Sequence, residues 1–306
     1  MVFKSLDACF HASSITSITS QVIGSASNLC YGPSMEAPLP VGDLLREWRQ
    51  RRRMSQLALA CEAGISTRHL SFVETGRSTP SRDMVLLLAA QLDIPLRERN
   101  VLLNAAGYAP VFPERPLADS ALETARKAVD LVLKGHEPYP ALAIDRHWTL
   151  VASNRAIAPL LVGMDPALLQ QPLNVLRMSL HPSGLAPRIA NLAEWRSHLF
   201  ERLRRQIAVS ADPSLVDLLN ELRGYTLPAG AAIGPTHSRD YGGIIVPLEL
   251  ITEFGTLAFF STTTTFGTPV DVTLSELALE SFFPANESTA RALQDLSHLD
   301  GRAPDR

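Results

Sequence analysis

The fold of the N-terminal half is decided by residues 55–77, SQLALACEAGISTRHLSFVETGR. The segment predicts two short helices joined by a tight turn, each helix beginning after a serine, which is a good N-cap. Gly64 stands where a chain leaving the first helix needs a left-handed residue. Leu70 and Val73, spaced by three, predict the buried stripe of the second helix, and Gly76 predicts its end.

The second of these helices directs polar side chains away from its buried stripe. A helix pair of this kind is the arrangement that enters the major groove of DNA. The fork of Arg68 suits the O6 and N7 atoms of guanine, so we expect it to read a base. Gln56, Arg77 and Arg82 are expected to contact phosphates. The predicted DNA-binding residues are Gln56, Ser66, Thr67, Arg68, His69, Ser71, Phe72, Arg77 and Arg82.

The stretch resembles the helix-turn-helix of the XRE family, the phage-repressor type of DNA-binding domain. The features that carry this resemblance are Gln56, Leu59-Ala60, Gly64-Ile65-Ser66, Leu70, Val73-Glu74 and Gly76-Arg77, after an arginine-rich helix. The resemblance covers roughly residues 41–109 and implies an all-α domain of five helices. It also implies an ion pair between Arg49 and Glu74, which would be part of the scaffold.

Composition limits the class of protein. At 306 residues the chain can form two domains with separate cores, and its 46% hydrophobic and 19% charged residues are typical of a globular protein. The longest apolar run, residues 84–90, is far too short to span a bilayer. Cys9, Cys30 and Cys61 are too widely spaced for a disulfide framework or a zinc site. We therefore expect a cytoplasmic protein without membrane contact and without a metal.

Charge is distributed unevenly along the chain. Residues 41–109 hold ten arginines and seven acidic side chains, whereas residues 110–306 hold 17 basic and 22 acidic side chains. A basic module joined to an acidic one is typical of a nucleic-acid reader attached to a domain with another task.

Proline content and periodicity divide the chain into five parts. Met35 is a candidate translation start, and Pro110, Pro113 and Pro116 mark an interdomain linker. The expected parts are a disordered N-terminal extension at 1–40, the helix-turn-helix domain at 41–109, the linker at 110–119, a second domain at 120–297 and a tail at 298–306.

The second domain alternates between strands and helices. Residues 141–145 and 148–153 predict two strands around a tight turn, and strands return at 243–251 and 255–266. Helical segments are expected over residues 155–223, the longest at about 187–209, and Asn154 can cap the first of them. This order predicts an α+β domain built on an antiparallel sheet.

This second domain resembles the MmyB-like ligand-binding domain, a PAS-like module found downstream of XRE-type domains. The matching phrases are Glu137-Pro-Tyr-Pro-Ala-Leu, Asp145-Arg-His-Trp, Asn154-Arg-Ala, His181-Pro-Ser-Gly-Leu, Glu194-Trp195 and Leu279-Glu-Ser-Phe-Phe-Pro284. The resemblance implies a small hydrophobic ligand such as a fatty acid. Candidate pocket residues are Trp148, Trp195, Phe259 and Phe283.

Catalytic patterns do not assemble in the sequence. His237, Ser238 and Asp240 lie in a row, but the members of a triad meet in space, and no G-x-S-x-G elbow occurs. Sequence motifs for zinc, redox chemistry and phosphate binding do not occur either. We predict no catalytic residues, no cofactor and no enzymatic activity.

Together these patterns favour a sequence-specific transcriptional regulator. One helix-turn-helix covers one half-site, so a homodimer on a palindromic operator is expected. The C-terminal domain would sense a small hydrophobic ligand, dimerise, or do both. The alternatives are an adaptor or antitoxin-like protein that uses the helix-turn-helix on proteins, and an enzyme with an accessory DNA-binding module.

Overall fold

The computed structural model describes residues 39–226 and 246–300. Its N-terminal part is the predicted domain of five helices. They are α1 (Val41–Arg51), α2 (Gln56–Glu62), α3 (Thr67–Glu74), α4 (Arg82–Gln91) and α5 (Leu96–Ala105). The predicted extension lies outside the described residues except for positions 39 and 40, and so do residues 301–306 of the predicted tail.

Local chemistry determines where these helices begin and end. The Ser55 hydroxyl accepts a hydrogen bond from the Ala58 amide, and the Ser66 hydroxyl accepts one from the His69 amide. Gly64 has a φ of +64° in the turn between α2 and α3. The two N-caps and the left-handed glycine therefore stand where the sequence predicted them.

The helical domain has its own apolar core. Leu45 and Trp48 of α1 pack with Leu70 and Val73 of α3 and with leucines of α4 and α5. Because α3 buries these residues in the core, its remaining faces are available to solvent.

The C-terminal domain is built on one antiparallel sheet in the order β2-β1-β5-β4-β3. Its strands are β1 (Ala141–Ile144), β2 (Leu150–Ser153), β3 (Leu248–Thr252), β4 (Gly255–Thr265) and β5 (Ala278–Pro284). The α+β prediction is confirmed. The central strand β5, however, was not predicted as a strand, because its buried and half-buried residues do not alternate as apolar and polar.

Helices and short 3₁₀ segments surround this sheet. The helices are α6 (Glu123–Gly135), α7 (Val175–Leu180), α8 (Leu192–Ser210), α9 (Pro213–Arg223), α10 (Val272–Ser275) and α11 (Glu287–Asp300). The 3₁₀ segments are Ser120–Leu122, Arg155–Leu161, Pro166–Leu169 and Ala186–Arg188. The part of the chain that the structure describes contains no helix long and apolar enough to cross a membrane.

The two faces of the sheet have different partners, because successive side chains of a strand point to opposite sides. On the inner face, Leu142, Leu250 and Phe259 join the large core formed with α7, α8 and α9. On the outer face, Ala143 and Leu279 pack against α6.

Two local predictions in this domain were wrong. Residues 187–191 do not open the long helix, since Ile189 forms a β-bridge with Leu250 and α8 begins at Leu192. Asn154 does not cap the following segment, because its side chain joins the Ala141 amide to the carbonyls of Leu133 and Tyr139.

A glycine controls how closely α1 approaches α3. A Cβ atom added to Gly42 would clash with the backbone carbonyl oxygen of Val73, whereas one added to Gly135 in α6 would meet nothing within 4 Å. We expect Gly42→Ala to lower the free energy of unfolding by about 1–3 kcal/mol because helix packing must open. Denaturant unfolding of both variants checks this, and Gly135→Ala should not be destabilised. Equal stability of the two variants would contradict the close approach.

Candidate nucleic-acid interface and ligand pocket

The outward faces of α3 carry the side chains predicted to read DNA. Ser66 and Arg68 are exposed, and Thr67, His69, Ser71 and Phe72 are half-buried. The guanidinium carbon of Arg68 lies 5.3 Å from the centre of the Phe72 ring. This cation–π contact steadies a long side chain on the surface of the helix. Base readout by Arg68 remains a prediction.

Beneath that surface, a buried carboxylate ties three helices together. Glu74 at the end of α3 is 1% exposed. The Arg49 fork holds it with Nε 2.7 Å from Oε1 and Nη2 2.8 Å from Oε2. Burial opposes ionisation of Glu74, but the hydrogen bonds from Arg49 and Gln56 outweigh it, so its pKa lies below the usual value. The expected pair of Arg49 and Glu74 is present.

Gln56 has a structural contact that the sequence did not reveal. Its Nε2 donates to Glu74 Oε2 over 2.8 Å, so its side chain braces α2 against α3. Gln56 stands at the first residue of α2. A phosphate contact by Gln56 would compete with this hydrogen bond to Glu74 for the same amide group, and the phosphate contact remains a prediction.

The arginines predicted to contact phosphates flank α3. Arg77 follows α3 and Arg82 begins α4, and both are exposed. The loop between them is held to the domain by the Tyr108 hydroxyl, which donates to the Pro80 carbonyl over 3.1 Å. Arg77 and Arg82 therefore stand at the two ends of an anchored loop beside α3.

A cavity lies between the inner face of the sheet and the helices of the C-terminal domain. Its volume is about 90 Å³. Of the predicted pocket residues, Trp148, Trp195 and Phe259 line it. The rest of its lining is aliphatic except for Pro140, Met178, Ser179, Glu280 and Phe282.

Phe283 was predicted to line the pocket, and this is wrong. Its ring stacks on Phe260 with the centres 5.2 Å apart, and it meets His136 edge to face. Strand pleating puts adjacent residues on opposite faces, so Phe282 reaches the cavity instead. The sequence contains two adjacent phenylalanines, and without the register of β5 it cannot tell which one faces inward.

Polar contacts at the cavity wall were not foreseen. The indole N–H of Trp148 donates to Gln206 over 2.7 Å, and that of Trp195 donates to the Ser179 hydroxyl over 3.0 Å. Arg202 Nη1 lies 2.6 Å from Glu280 Oε1. These partners are far apart in sequence, so no local signal marked them.

The two domains meet through a cluster of charged side chains, which we call the interdomain cluster: Arg97, Glu114, Arg146, Asp212 and Glu276. Arg97 of α5 holds Glu276 with two hydrogen bonds of 2.8 and 2.9 Å, and its Nη2 lies 2.6 Å from Glu114. Arg146 lies 3.3 Å from Asp212 and 3.8 Å from Glu276. The predicted linker is itself anchored, since Asn100 hydrogen-bonds the backbone of Val111 and Phe112.

Two histidines of the C-terminal domain stand in a turn and at a helix end. His147 lies in the β1–β2 turn with Nε2 2.9 Å from Asp212, and His181 ends α7. Across the described ranges, no three His, Cys, Asp or Glu side chains are grouped to hold a metal ion. The row formed by His237, Ser238 and Asp240 lies outside the described residues.

These features define a helix-turn-helix DNA-binding protein with a second, cavity-bearing domain. A helix-turn-helix family model matches residues 45–99. The model of the MmyB-like transcription regulator ligand binding domain matches residues 125–296, more than half of the chain. The chain belongs to this family of MmyB-like transcription regulators.

Two named relatives are helix-turn-helix regulators. The chain is 37% identical over 116 residues to an HTH-type transcriptional regulatory protein of Methanoculleus marisnigri. It is 40% identical over 76 residues to the HTH-type transcriptional regulator RghRB of Bacillus subtilis. These matches cover 36% and 24% of this chain and span 37% and 52% of the relatives. A solved RNA-binding light-oxygen-voltage receptor aligns over 97% of this chain and 69% of its own, with 12% identity and a TM-score of 0.23, too low to relate the folds.

The two kinds of arginine contact can be separated by mutation. We expect Arg68→Ala to cost about 1–3 kcal/mol on the cognate site and to relax preference at one base pair. Arg77→Ala should weaken binding to all DNA sequences alike. It should also reduce the slope of the logarithm of the binding constant against the logarithm of salt concentration by roughly one unit. Salt titrations on cognate and random DNA check both, with the distant Arg223→Ala as a charge-matched control. Equal losses of Arg68→Ala on both DNAs would make Arg68 a phosphate contact.

Proposed function

We propose that the protein is a sequence-specific transcriptional regulator in which a small apolar molecule in the cavity changes the affinity for operator DNA. The observation that carries this proposal is the position of the interdomain cluster. Arg146 lies two residues before Trp148, which forms part of the cavity wall. The β1–β2 turn therefore contributes Trp148 to the cavity wall and Arg146 to the interdomain cluster.

The first link between cavity and boundary is the β1–β2 turn. Trp148 has a left-handed φ of 65°, which is unusual for a bulky residue and must be held by its surroundings. Gln206 holds it from α8, accepting from the indole N–H and donating to the Arg146 carbonyl over 2.6 Å. A shift of the indole would therefore move the backbone that carries Arg146.

The second link is the segment that leads into β5. Glu276, the partner of Arg97, stands two residues before this strand, and Glu280 and Phe282 within the strand line the cavity. A ligand that displaces β5 would act on the carboxylate that Arg97 holds.

On the DNA-binding side, both links end at α5. Hydrogen bonding to Glu276 raises the pKa of Arg97, which therefore stays charged. Burial raises the pKa of the neighbouring Glu98. Ala211, between α8 and α9, packs against the core of the helix-turn-helix domain. The contact is polar with a small apolar centre, which suits an interface that opens and closes.

An effector can shift an equilibrium only through its differential affinity for the two states. A tenfold change in operator affinity requires a coupling free energy of about 1.4 kcal/mol. One charge-assisted hydrogen bond of the interdomain cluster contributes about 1.5–3 kcal/mol, so its gain or loss is sufficient.

The proposed partner is double-stranded DNA with a palindromic operator in the cytoplasm, bound by a homodimer with half-sites about one turn apart. Leu131 and Val132 of α6 support dimerisation through the C-terminal domain. They are 73% and 47% exposed on a helix whose other side covers the sheet. Adjacent exposed apolar side chains favour a protein contact.

Removing Arg97 tests the coupling. We expect Arg97→Ala to bind apolar probes such as decanol and decanoate as the wild type does, but without the probe-dependent change in operator affinity. The matched control is Arg177→Ala, which removes a similar two-bond pair with Glu221 inside the C-terminal domain. Calorimetry of probe binding and fluorescence anisotropy on operator DNA measure the two properties. An unchanged response of Arg97→Ala would contradict coupling through this cluster.

Dimerisation is tested separately at α6. Leu131→Glu should give a monomer in light scattering and weaken operator binding, because a charge would be buried in the contact. Val209→Glu changes a residue that is 50% exposed on α8 and serves as control. A Leu131→Glu protein that remains dimeric would place the dimer contact elsewhere.

A further inference from the structure

We infer that Arg68 and Phe72 of α3 form one composite reader of the operator. The arginine recognises a guanine, and the phenylalanine ring recognises the methyl group of a thymine in the adjacent base pair. This inference rests on the proposed sequence-specific binding of DNA and names part of the base sequence that the protein prefers. The observation that carries it is the contact between these two side chains on the outward face of α3.

Arg68 and Phe72 lie one helical turn apart on the same face of α3. Residues four apart on a helix are neighbours, and a helical side chain leans toward the N-terminus of its helix, so the Phe72 ring reaches back to Arg68. The guanidinium carbon of Arg68 lies 5.3 Å from the centre of that ring. Arg68 is exposed and Phe72 is half-buried. The pair therefore presents a cationic group and an apolar surface side by side.

The hydrogen-bond donors of Arg68 are uncommitted. Within residues 39–226 and 246–300, no acidic side chain or carbonyl group bonds its guanidinium, which contacts the Phe72 ring. By contrast, Arg46 and Arg49 of α1 bond to Glu74, and Arg52 bonds to two backbone carbonyls at the end of α4. The ring therefore orients Arg68 while its N–H donors stay available to a base edge.

Phe72 is not used in the core of its own domain. The neighbouring Leu70 and Val73 are at most 1% exposed and belong to that core. Phe72 is not among the described apolar side chains that form the core or pack against it. Its ring can therefore offer apolar surface to a partner. In the major groove the apolar group is the methyl of thymine, and phenylalanine is one of the side chains that contact it.

The distance within the pair suits adjacent base pairs. Successive bases along a DNA strand are about 3.4 Å apart. When the guanidinium lies level with one base pair, a ring centred 5.3 Å away therefore reaches the next pair. A cytosine in that pair has no methyl group to offer. Arg68 alone would specify a guanine, whereas both side chains together specify a guanine with a thymine in the adjacent pair.

Deoxyuridine separates the methyl group from the other features of thymine. It pairs with adenine and keeps the O4 acceptor, so replacing a thymine by deoxyuridine removes the methyl group alone. The full-length protein is first used to select its preferred duplexes from a random DNA library. The selected duplex is then synthesised with deoxyuridine at one thymine at a time, and fluorescence anisotropy measures each dissociation constant.

The guanine that Arg68 reads is located with 7-deazaguanine, which lacks the N7 acceptor. This base should weaken binding by the wild type but not by Arg68→Ala. Replacing the adjacent thymine by deoxyuridine should then cost the wild type about fourfold in affinity, because burial of one methyl group contributes about this factor. If no guanine behaves in this way, or if neither base pair beside it responds to loss of a methyl group, the inference is wrong.

Phe72→Ala tests the cause. It should bind the thymine and deoxyuridine duplexes equally, and it should also show a weaker preference for the guanine, because Arg68 loses the ring that orients it. The matched control is Phe112→Ala, which removes a ring lying 6.0 Å from the guanidinium carbon of Arg99 in the segment between the domains. This control should keep the fourfold difference. If the difference persists in Phe72→Ala, another side chain contacts the methyl group and the role of Phe72 is refuted.

Two results separate this inference from the function on which it rests. If the selection enriches no DNA sequence, both proposals fail. If a sequence is enriched but the methyl group has no effect, only the composite reader fails. Should Phe72→Ala not fold, as judged by thermal unfolding, Phe72→Gln provides the same comparison, since glutamine is polar and favours the helix.

Discussion

The pleat of β5 is the constraint on which the C-terminal domain depends. This strand pairs with β1 on one side and β4 on the other, so its register is fixed from both edges. With that register, Glu280 and Phe282 face the cavity while Leu279 and Phe283 face outward. A slip of one residue would exchange the two sets and remove the acid from the wall. The segment just before the strand supplies Glu276 to the domain boundary, so one short stretch, residues 276–284, contributes to both places.

The DNA-binding half could be predicted from sequence almost completely, because its determinants are local. Serine caps and left-handed glycines act within a few residues and mark helix ends that the structure contains, and apolar spacing marks the buried faces. The ion pair of Arg49 with Glu74 is not local, and only the family resemblance implied it. The side-chain bond of Gln56 to the same carboxylate escaped prediction, since three helices must pack before the groups meet.

In the C-terminal half, the sequence was informative about element types and poor about partners. Periodicity predicted the helices and the hairpin strands, but it did not predict the central strand β5. The choice between Phe282 and Phe283 depended on register. Arg202 and Glu280 are 78 residues apart, and Arg97 and Glu276 are 179 apart. Such pairs are products of tertiary packing, and no pattern within one element encodes them.

The anchored connection between the domains has a consequence for domain shuffling. Arg97 falls inside the helix-turn-helix match and Glu276 inside the ligand-binding match, so the contact joins the two matched modules. A chimaera that grafts a foreign DNA-binding head onto this domain at residue 110 would lose the complement of Glu276 and Asn100's hold on the connecting segment. Under the proposed coupling, recombination among relatives would preserve regulation only where α5 and the acidic boundary are inherited together. The helix-turn-helix domain and the charges that it places at the interdomain cluster would then have to be inherited as one unit.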